Sequence, residues 1–175
     1  HYESVVMISI SGRLSGMRQI MQQAAVKVRG VPIHIIDSRN LSASEGLLVL
    51  RVAEALEAGK PLSEVIEKAE EWVSKTHILV DVQTLKYMVR GGRVSPLKGW
   101  LAQVLNLKPI ITLDKEGKAD GEGKSFSRRS NMKKIVSKVK QISRNRPVWK
   151  YAVVHADNPG RAEEYAEELS RALQQ

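Results

Sequence analysis

Two long apolar runs near the start of the chain, each followed by a loop and a helical pattern, restrict the fold more than any other feature. The runs cover residues 4–10 and 31–38, and neither alternates regularly between apolar and polar residues. Helical patterns follow from residue 17 and over residues 45–57. Near-continuous apolar strands that are separated by helices are typical of a parallel sheet covered on both faces. The order of these segments predicts an α/β fold.

The rest of the chain continues the alternation of strands and helices. A third helix is predicted directly after Pro61, because a proline is accepted at the start of a helix. The later predicted elements are strands at residues 78–82, 109–113, 124–128 and 151–155, helices at residues 84–89, 97–105, 132–142 and 159–173, and a polar hairpin loop at residues 114–123. Since the first strand begins almost at residue 1, we expect the sheet to extend into sequence outside these 175 residues.

The net charge of +9 is concentrated in one segment of the chain. Residues 81–150 hold 17 basic and 5 acidic side chains, whereas residues 1–80 hold nine of each. The change near residue 76 predicts a boundary between a first lobe, residues 1–75, and a basic second lobe, residues 76–175. A basic surface can attract an acidic protein, an anionic ligand or phosphates, and an ordinary solvated surface is an equally open interpretation.

Several classes of site are excluded or disfavoured by residue type and spacing. The chain has no cysteine, so it has no disulfide framework, thiolate metal site or thiol nucleophile. Its four histidines lie in separate segments, and no two have the i, i+4 spacing that places two metal ligands on one helix face. The longest apolar stretch, residues 46–50, is far shorter than the ~20 residues that cross a bilayer. The sequence therefore predicts a cytoplasmic protein with no metal and no cofactor.

A loop of small residues follows the first predicted strand. It contains Ser11, Ser15 and Gly16 and leads into a helix, whose free N-terminal amides favour a bound carboxylate or phosphate. Capping of the helix by serine is the alternative interpretation. Neither serine lies in a Gly-x-Ser-x-Gly elbow, so the sequence does not support a hydrolase nucleophile.

Two further glycine-containing segments resemble anion-binding turns to different degrees. Gly91 and Gly92 allow a tight turn that would aim Arg93 in a defined direction, which suits an anion, although an exposed arginine after a helix end is also open. The segment from Gly117 to Ser125 has one residue too many for a phosphate-binding loop. We therefore interpret it as a plain hairpin loop.

A set of short strings, in order along almost the whole chain, resembles the DegV family, the bacterial fatty-acid-binding proteins that serve fatty acid kinase. The strings are Tyr2-Glu3-Ser4-Val5, Ser11-Gly12-Arg13-Leu14-Ser15-Gly16, Ile36-Asp37-Ser38 with Ser42 and Gly46, Thr84-Leu85-Lys86-Tyr87, Gly91-Gly92-Arg93-Val94-Ser95, Leu105-Asn106-Leu107-Lys108-Pro109-Ile110 and His155-Ala156-Asp157. Each string alone is weakly specific, but the ordered set is specific.

The resemblance implies a two-lobed α/β protein, with a partial parallel sheet in the first lobe. It implies that one long-chain fatty acid is buried between the lobes and that a separate kinase subunit of the DAK type phosphorylates its carboxylate. By position, Ser15 and then Ser11, with Gly16 beside them, are expected to bind the carboxylate. Arg93 is expected to supply a cation to the head group. The expected docking residues for the kinase are Lys124, Arg128 and Arg129.

The chain departs from the family pattern at several points. It has Met17 where the family usually has threonine and Gly12 where a second serine is usual. The family's Thr-Ser-Gln-Pro and His-Thr-Gly-Pro-Gly segments are absent, so these 175 residues resemble the middle of a family member.

Two other classes of function remain open beside a lipid carrier without catalytic residues of its own. One is a nucleic-acid-binding or regulatory module that uses the basic residues 81–150. A small number of aromatic rings for base stacking, with one phenylalanine and four tyrosines, argues against this class. The other is a small-molecule hydrolase or transferase, for which the sequence offers no nucleophile and base pair.

Overall fold

The computed structural model describes residues 2–92, 108–144 and 146–173. The chain divides into two compact units, the first of residues 1–78 and 113–119 and the second of residues 79–112 and 120–175. The helix predicted at residues 97–105 lies outside the described residues, as does Arg93.

The first unit contains the predicted parallel pair of strands. Strands β1 (Val5–Ser9) and β2 (Ile33–Asp37) run parallel, with Val5 opposite Ile33 and Ser9 opposite Asp37. The helices of this unit are α1 (Met17–Ala25), α2 (Ser42–Glu57) and α3 (Leu62–Lys75). The expectation of an α/β fold with a parallel sheet is confirmed.

The core of the first unit lies between the sheet and helices α2 and α3. Leu48 of α2 and Ala69 of α3 pack with Ile36 of β2, and all three are buried. Val65, which is fully buried, packs with Val52 in an adjoining cluster. Burying an aliphatic side chain of this size contributes about 1.5–3 kcal/mol, so these contacts fix the two helices on the sheet.

The second unit has a sheet of strand order β3-β4-β5, formed by β3 (Val80–Asp81), β4 (Lys108–Leu113) and β5 (Ala119–Ser125). Strand β3 pairs with β4 in antiparallel orientation. The helices are α4 (Lys86–Arg90), α5 (Arg128–Ser143) and α6 (Pro159–Leu173). Ile110, Ile135 and Tyr165 form a buried core cluster of this unit.

Two predicted elements differ from the structure. Residues 119–123 belong to strand β5 and not to the hairpin loop. Exposed residues alternate with less exposed ones along this strand, and Ala119 and Ser125 at its ends are buried. The glycines obscure this alternation in the sequence. Residues 151–155 form neither strand nor helix. Val153 of this segment packs against the core of the second unit, whereas Tyr151 and Val154 are exposed. Within the described residues, no helix is long and apolar enough to span a bilayer.

Candidate functional site

Three loops of the first unit meet around the hydroxyl of Ser11. They are residues 10–16 after β1, residues 38–41 after β2, and the hairpin turn at residues 114–118. Ser11 is fully buried, and its hydroxyl donates a 2.7 Å hydrogen bond to the carbonyl of Gly117. Its backbone N–H donates to the carbonyl of Asn40 at 2.7 Å. Ligands of open α/β sheets bind outside the carboxyl ends of the strands, and two of these loops lie there.

The loop after β2 is built from backbone and short polar side chains. The hydroxyl of buried Ser38 accepts from the N–H of Asn40 at 3.1 Å, while the Asn40 amide group donates to the Ser38 carbonyl at 3.1 Å. Arg39 between them has a φ of +48°, in the left-handed region that few side chains adopt. Strained backbone of this kind persists where surrounding contacts fix it, and it clusters at binding sites.

Ser11 also sets the position of Ser15. The carbonyl of Ser11 accepts from the N–H groups of Leu14 and Ser15, at 3.0 and 3.1 Å. The hydroxyl of half-buried Ser15 then accepts from the N–H of Met17 at 3.2 Å, where helix α1 begins. No acceptor for the Ser15 hydroxyl proton lies among the residues that the structure describes. That proton is therefore available to the oxygen of an acid.

Gly16 is the N-cap of α1 and makes no capping hydrogen bond of its own, so the side-chain acceptor at this helix end is the Ser15 hydroxyl, which accepts from the N–H of Met17. The first turn of α1 has no acidic residue, so the positive end of its dipole is not neutralised there. Apart from its chain neighbours, a Cβ at residue 16 would meet no described atom within 4 Å, so the start of α1 is uncovered at this point. These features suit an anionic group near Ser15 and Gly16.

The Asp37 carboxylate binds a backbone amide in each of the two loops that follow the parallel strands. Its carboxylate accepts from the N–H of Gly12 at 3.3 Å and from the N–H of Arg39 at 2.9 Å. It also lies 3.5 Å from Nη1 of Arg18. The amides of Gly12 and Arg39 are therefore already occupied by Asp37, whereas the Ser15 hydroxyl proton has no acceptor in the described part of the chain.

The expected docking residues lie on β5 and on the first turn of α5, in the second unit. The side chains of Lys124, Arg128 and Arg129 are exposed. Ser127 caps α5, accepting from the N–H of Ser130 at 3.1 Å, and Arg161 donates to the carbonyl of Arg128 at 2.8 Å. Two arginines at the positive end of a helix dipole are electrostatically unfavourable for the free protein. The turn is therefore held in place by its neighbours and not by its own charges.

A buried polar network of the second unit was not found from the sequence. Its centre is the Asp81 carboxylate, which accepts from Asn131 at 2.7 Å and from the Tyr165 hydroxyl at 2.9 Å. The Asn131 side chain is fully buried. Burial, with the neighbouring Asp81 charge, raises the pKa of Tyr165 far above its usual value. In the sequence, the one sign of this network was Asp81, an aspartate within the predicted apolar strand at residues 78–82.

His155 has a structural position. Nδ1 of His155 accepts from the N–H of Asn158 at 3.1 Å, which closes the turn before α6. In residues 2–92, 108–144 and 146–173, no group of three or more potential ligands is arranged to hold a metal ion. Arg93, the expected cation of the head group, lies outside the described residues.

A family model described as "Uncharacterised protein, DegV family" matches residues 1–175. Curated relatives include a DegV domain-containing protein of Mycobacterium tuberculosis, 31% identical over 171 residues, and one of Clostridium acetobutylicum, 27% identical over 164 residues. The matches take in 98% and 94% of this chain but only 60% and 58% of the relatives. The chain thus spans less than two thirds of the length of these relatives.

Two solved structures show the fold. A DegV family protein from Thermus thermophilus, described by its fatty acid binding, superimposes with a TM-score of 0.78 at 31% identity, over 84% of this chain and 52% of that one. DegV from Bacillus subtilis, a fatty acid binding protein, gives a TM-score of 0.88 at 24% identity, over 99% and 61%. The predicted fold of the DegV type is confirmed by both.

Proposed function

Because the chain belongs to the DegV family, we propose that it binds a long-chain fatty acid and presents the carboxylate to a fatty acid kinase subunit. The Thermus thermophilus relative, at 31% identity, supports the choice of ligand. This chain covers 52% of that protein, so the activity of a whole family member is part of the proposal. In this proposal the chain is a carrier that has no catalytic residues of its own.

The observation that carries the proposal is the arrangement of donors at the carboxyl end of β1. The Ser15 hydroxyl proton has no acceptor within the described part of the chain, and the dipole of α1 begins beside it at Gly16. A hydrogen bond to an ionised carboxylate is about twice as strong as one between neutral groups. Ser15 is the proposed primary contact of the carboxylate and Arg93 the cation. Ser11 is the second residue of the proposed site and acts by supporting Ser15, because its hydroxyl proton is donated to Gly117.

The affinity would come mainly from the acyl tail. Transfer of a tail out of water supplies ~0.8 kcal/mol per CH₂, without any polar chemistry along its length. A few donors at the head group are then sufficient to orient the acid. This division of roles agrees with the Ser15 hydroxyl and the start of α1 as the donors of the proposed site.

The proposed docking surface consists of Lys124, Arg128 and Arg129. Support comes from the first turn of α5, where no acidic residue balances the two arginines. Each such cation costs the free helix about 0.3–1 kcal/mol at low salt. Carboxylates of a docked kinase subunit would relieve this repulsion, so the surface suits an acidic partner.

The test is a ligand extraction followed by a titration. The purified protein is extracted with organic solvent, the extract is analysed by mass spectrometry, and the delipidated protein is titrated with palmitic acid and with hexadecanol. We expect fatty acid in the extract and an affinity for palmitic acid at least about tenfold higher than for the alcohol, because only the acid makes charge-assisted hydrogen bonds. Absence of binding to both compounds contradicts the proposal, and equal binding contradicts the carboxylate site.

A second candidate function, nucleic-acid binding or regulation through residues 81–150, is favoured by one face of α5. Arg129, Lys133 and Lys140, at spacings of four and seven residues, share that face and make no ion pair with another described residue. Binding of this kind weakens steeply with salt concentration. Retention on DNA with a steep salt slope, together with no fatty acid in the extract, would support this candidate.

A further inference from the structure

The hairpin turn at residues 114–118 leaves no room for a side chain at Gly117. This glycine is buried and has a φ of +80°, which disfavours other residues. A Cβ here would overlap the Ser11 hydroxyl and lie 2.9 Å from Cα and 3.0 Å from the carbonyl oxygen of Arg39. Gly117 therefore fits closely against both loops that follow the parallel strands.

The turn itself is rigid, so the carbonyl of Gly117 has a fixed position. Asp114 accepts from the backbone N–H groups of Glu116 and Lys118, each at 2.9 Å. The N–H of Gly117 donates to the Asp114 carbonyl at 3.0 Å. Because these bonds are local, the turn keeps its shape independently of the loops that it contacts.

Two interactions join the turn to the loop after β1, and they differ in environment. The hydrogen bond from Ser11 to Gly117 is buried, and breaking it would leave an unsatisfied carbonyl. The ion pair of Arg13 with Glu116, at 3.0 Å, has more than half of each side chain exposed. Exposed pairs of this kind contribute little. Of these two interactions with the turn, the buried bond therefore contributes more to holding the loop.

The loop that Gly117 holds is the one that carries Ser15. Ser11 accepts from the N–H of Ser15 through its carbonyl and from the N–H of Arg13 through its hydroxyl, at 3.1 and 3.2 Å. A shift of Ser11 would move both bonds, and Ser15 with them. The contact between Ser11 and Gly117 joins residues 106 positions apart in the chain.

We propose that Gly117 is a positioning residue for the Ser15 loop, acting through the buried hydroxyl of Ser11. The inference rests on the proposed function for its effect on fatty acid affinity. Its effect on the loop is independent of any ligand. Gly117 does not itself touch the acid in this proposal.

The experiment compares Gly117→Ala with Gly59→Ala. Gly59 also has a positive φ, +77°, but a Cβ there would meet nothing within 4 Å, so it controls for backbone strain without a collision. Hydrogen exchange is measured on peptides that cover residues 10–16 and helix α3, and palmitic acid affinity is measured on the same proteins. Ser11→Ala is included because it breaks the bond without adding an atom.

We expect Gly117→Ala and Ser11→Ala to raise exchange in residues 10–16 by about tenfold, the effect of losing a buried hydrogen bond, while α3 is unchanged. Affinity for palmitic acid should fall by about tenfold in both, and Gly59→Ala should alter neither measurement. Equal exchange in residues 10–16 for all proteins would overturn the inference, as would faster exchange with unchanged affinity.

If Gly117→Ala does not fold, the measurements on Ser11→Ala decide. A wild-type protein that binds no fatty acid contradicts the proposed function, and the exchange data still test the loop.

Discussion

The carboxylate of Asp81 accepts two hydrogen bonds from the guanidinium of Arg161, 80 positions later in the chain, at 3.0 Å from Nε and 2.6 Å from Nη2. Both side chains are mostly buried, with 12% and 17% of their surface exposed. The same carboxylate binds Asn131 of α5 and Tyr165 of α6. A short strand, β3, is thereby joined to both long helices of the second unit.

Asp81→Asn should lower the free energy of unfolding by about 3 kcal/mol, because it leaves Arg161 largely buried without its counterion. Urea unfolding, followed by circular dichroism, measures the change. The matched control is Glu164→Gln, which removes an exposed partner of the same arginine, 3.8 Å from its Nη1. That control should change stability by less than about 0.5 kcal/mol. Equal losses in the two variants would contradict a structural role of the buried pair.

Tyr165→Phe should change how stability depends on alkaline pH. Burial raises the pKa of Tyr165, so the unfolded chain releases this proton first, near pH ~10. The stabilisation from Tyr165 is therefore complete below that pH and is lost as pH rises toward the folded-state pKa. The difference in unfolding free energy between wild type and Tyr165→Phe should shrink above about pH 10. A difference in unfolding free energy between wild type and Tyr165→Phe that does not change with pH would refute this prediction.

Ser15→Ala should weaken the binding of palmitic acid by about tenfold or more, since a hydrogen bond to a charged group is worth about 1.5–3 kcal/mol. Isothermal titration calorimetry measures the affinity. Ser74→Ala is a suitable control because Ser74 is exposed on α3 and its hydroxyl donates only to the carbonyl of Glu71 in the same helix. Unchanged affinity of Ser15→Ala would assign the head group to other donors.

The double variant Arg128→Glu with Arg129→Glu should weaken binding to a fatty acid kinase subunit by at least about tenfold, as expected when charges at an interface are reversed. Surface plasmon resonance measures this. Acidic residues are favourable at the start of a helix, so the variant should be at least as stable as wild type. Lys27→Glu with Arg29→Glu makes the same change of charge in the first unit, and its kinase affinity should be unchanged. If the Arg128→Glu, Arg129→Glu variant also lost fatty acid binding, its weaker kinase binding would not assign these arginines to docking.

Much of the fold could be predicted from the sequence because local patterns determine it. The two apolar runs became the parallel strands β1 and β2, and the helix predicted at residues 159–173 has those boundaries. Strand β5 was predicted only in its last residues because its composition, with two glycines and three charged residues, is typical of a loop. Pairing with β4 determines that strand, and a pairing partner is not visible in a window of seven residues.

The site was predicted only at the level of the loop. The small residues after β1, among them Ser11 and Ser15, indicated an anion site, and the resemblance implied that the anion is a fatty acid carboxylate. The sequence could not show that Ser11 donates to Gly117, because chain positions 106 apart carry no local signal. It also could not show that Asp37 occupies the backbone amides of Gly12 and Arg39, since that depends on the three-dimensional position of a carboxylate.

The pairing of β1 has a practical consequence for work with this polypeptide. In the part of the chain that the structure describes, β1 has a neighbouring strand along one edge only. An open strand edge is a template on which other chains can add, and addition grows with concentration. Samples for calorimetry should therefore be kept dilute and monitored by light scattering, so that heat released by self-association is not mistaken for heat of ligand binding.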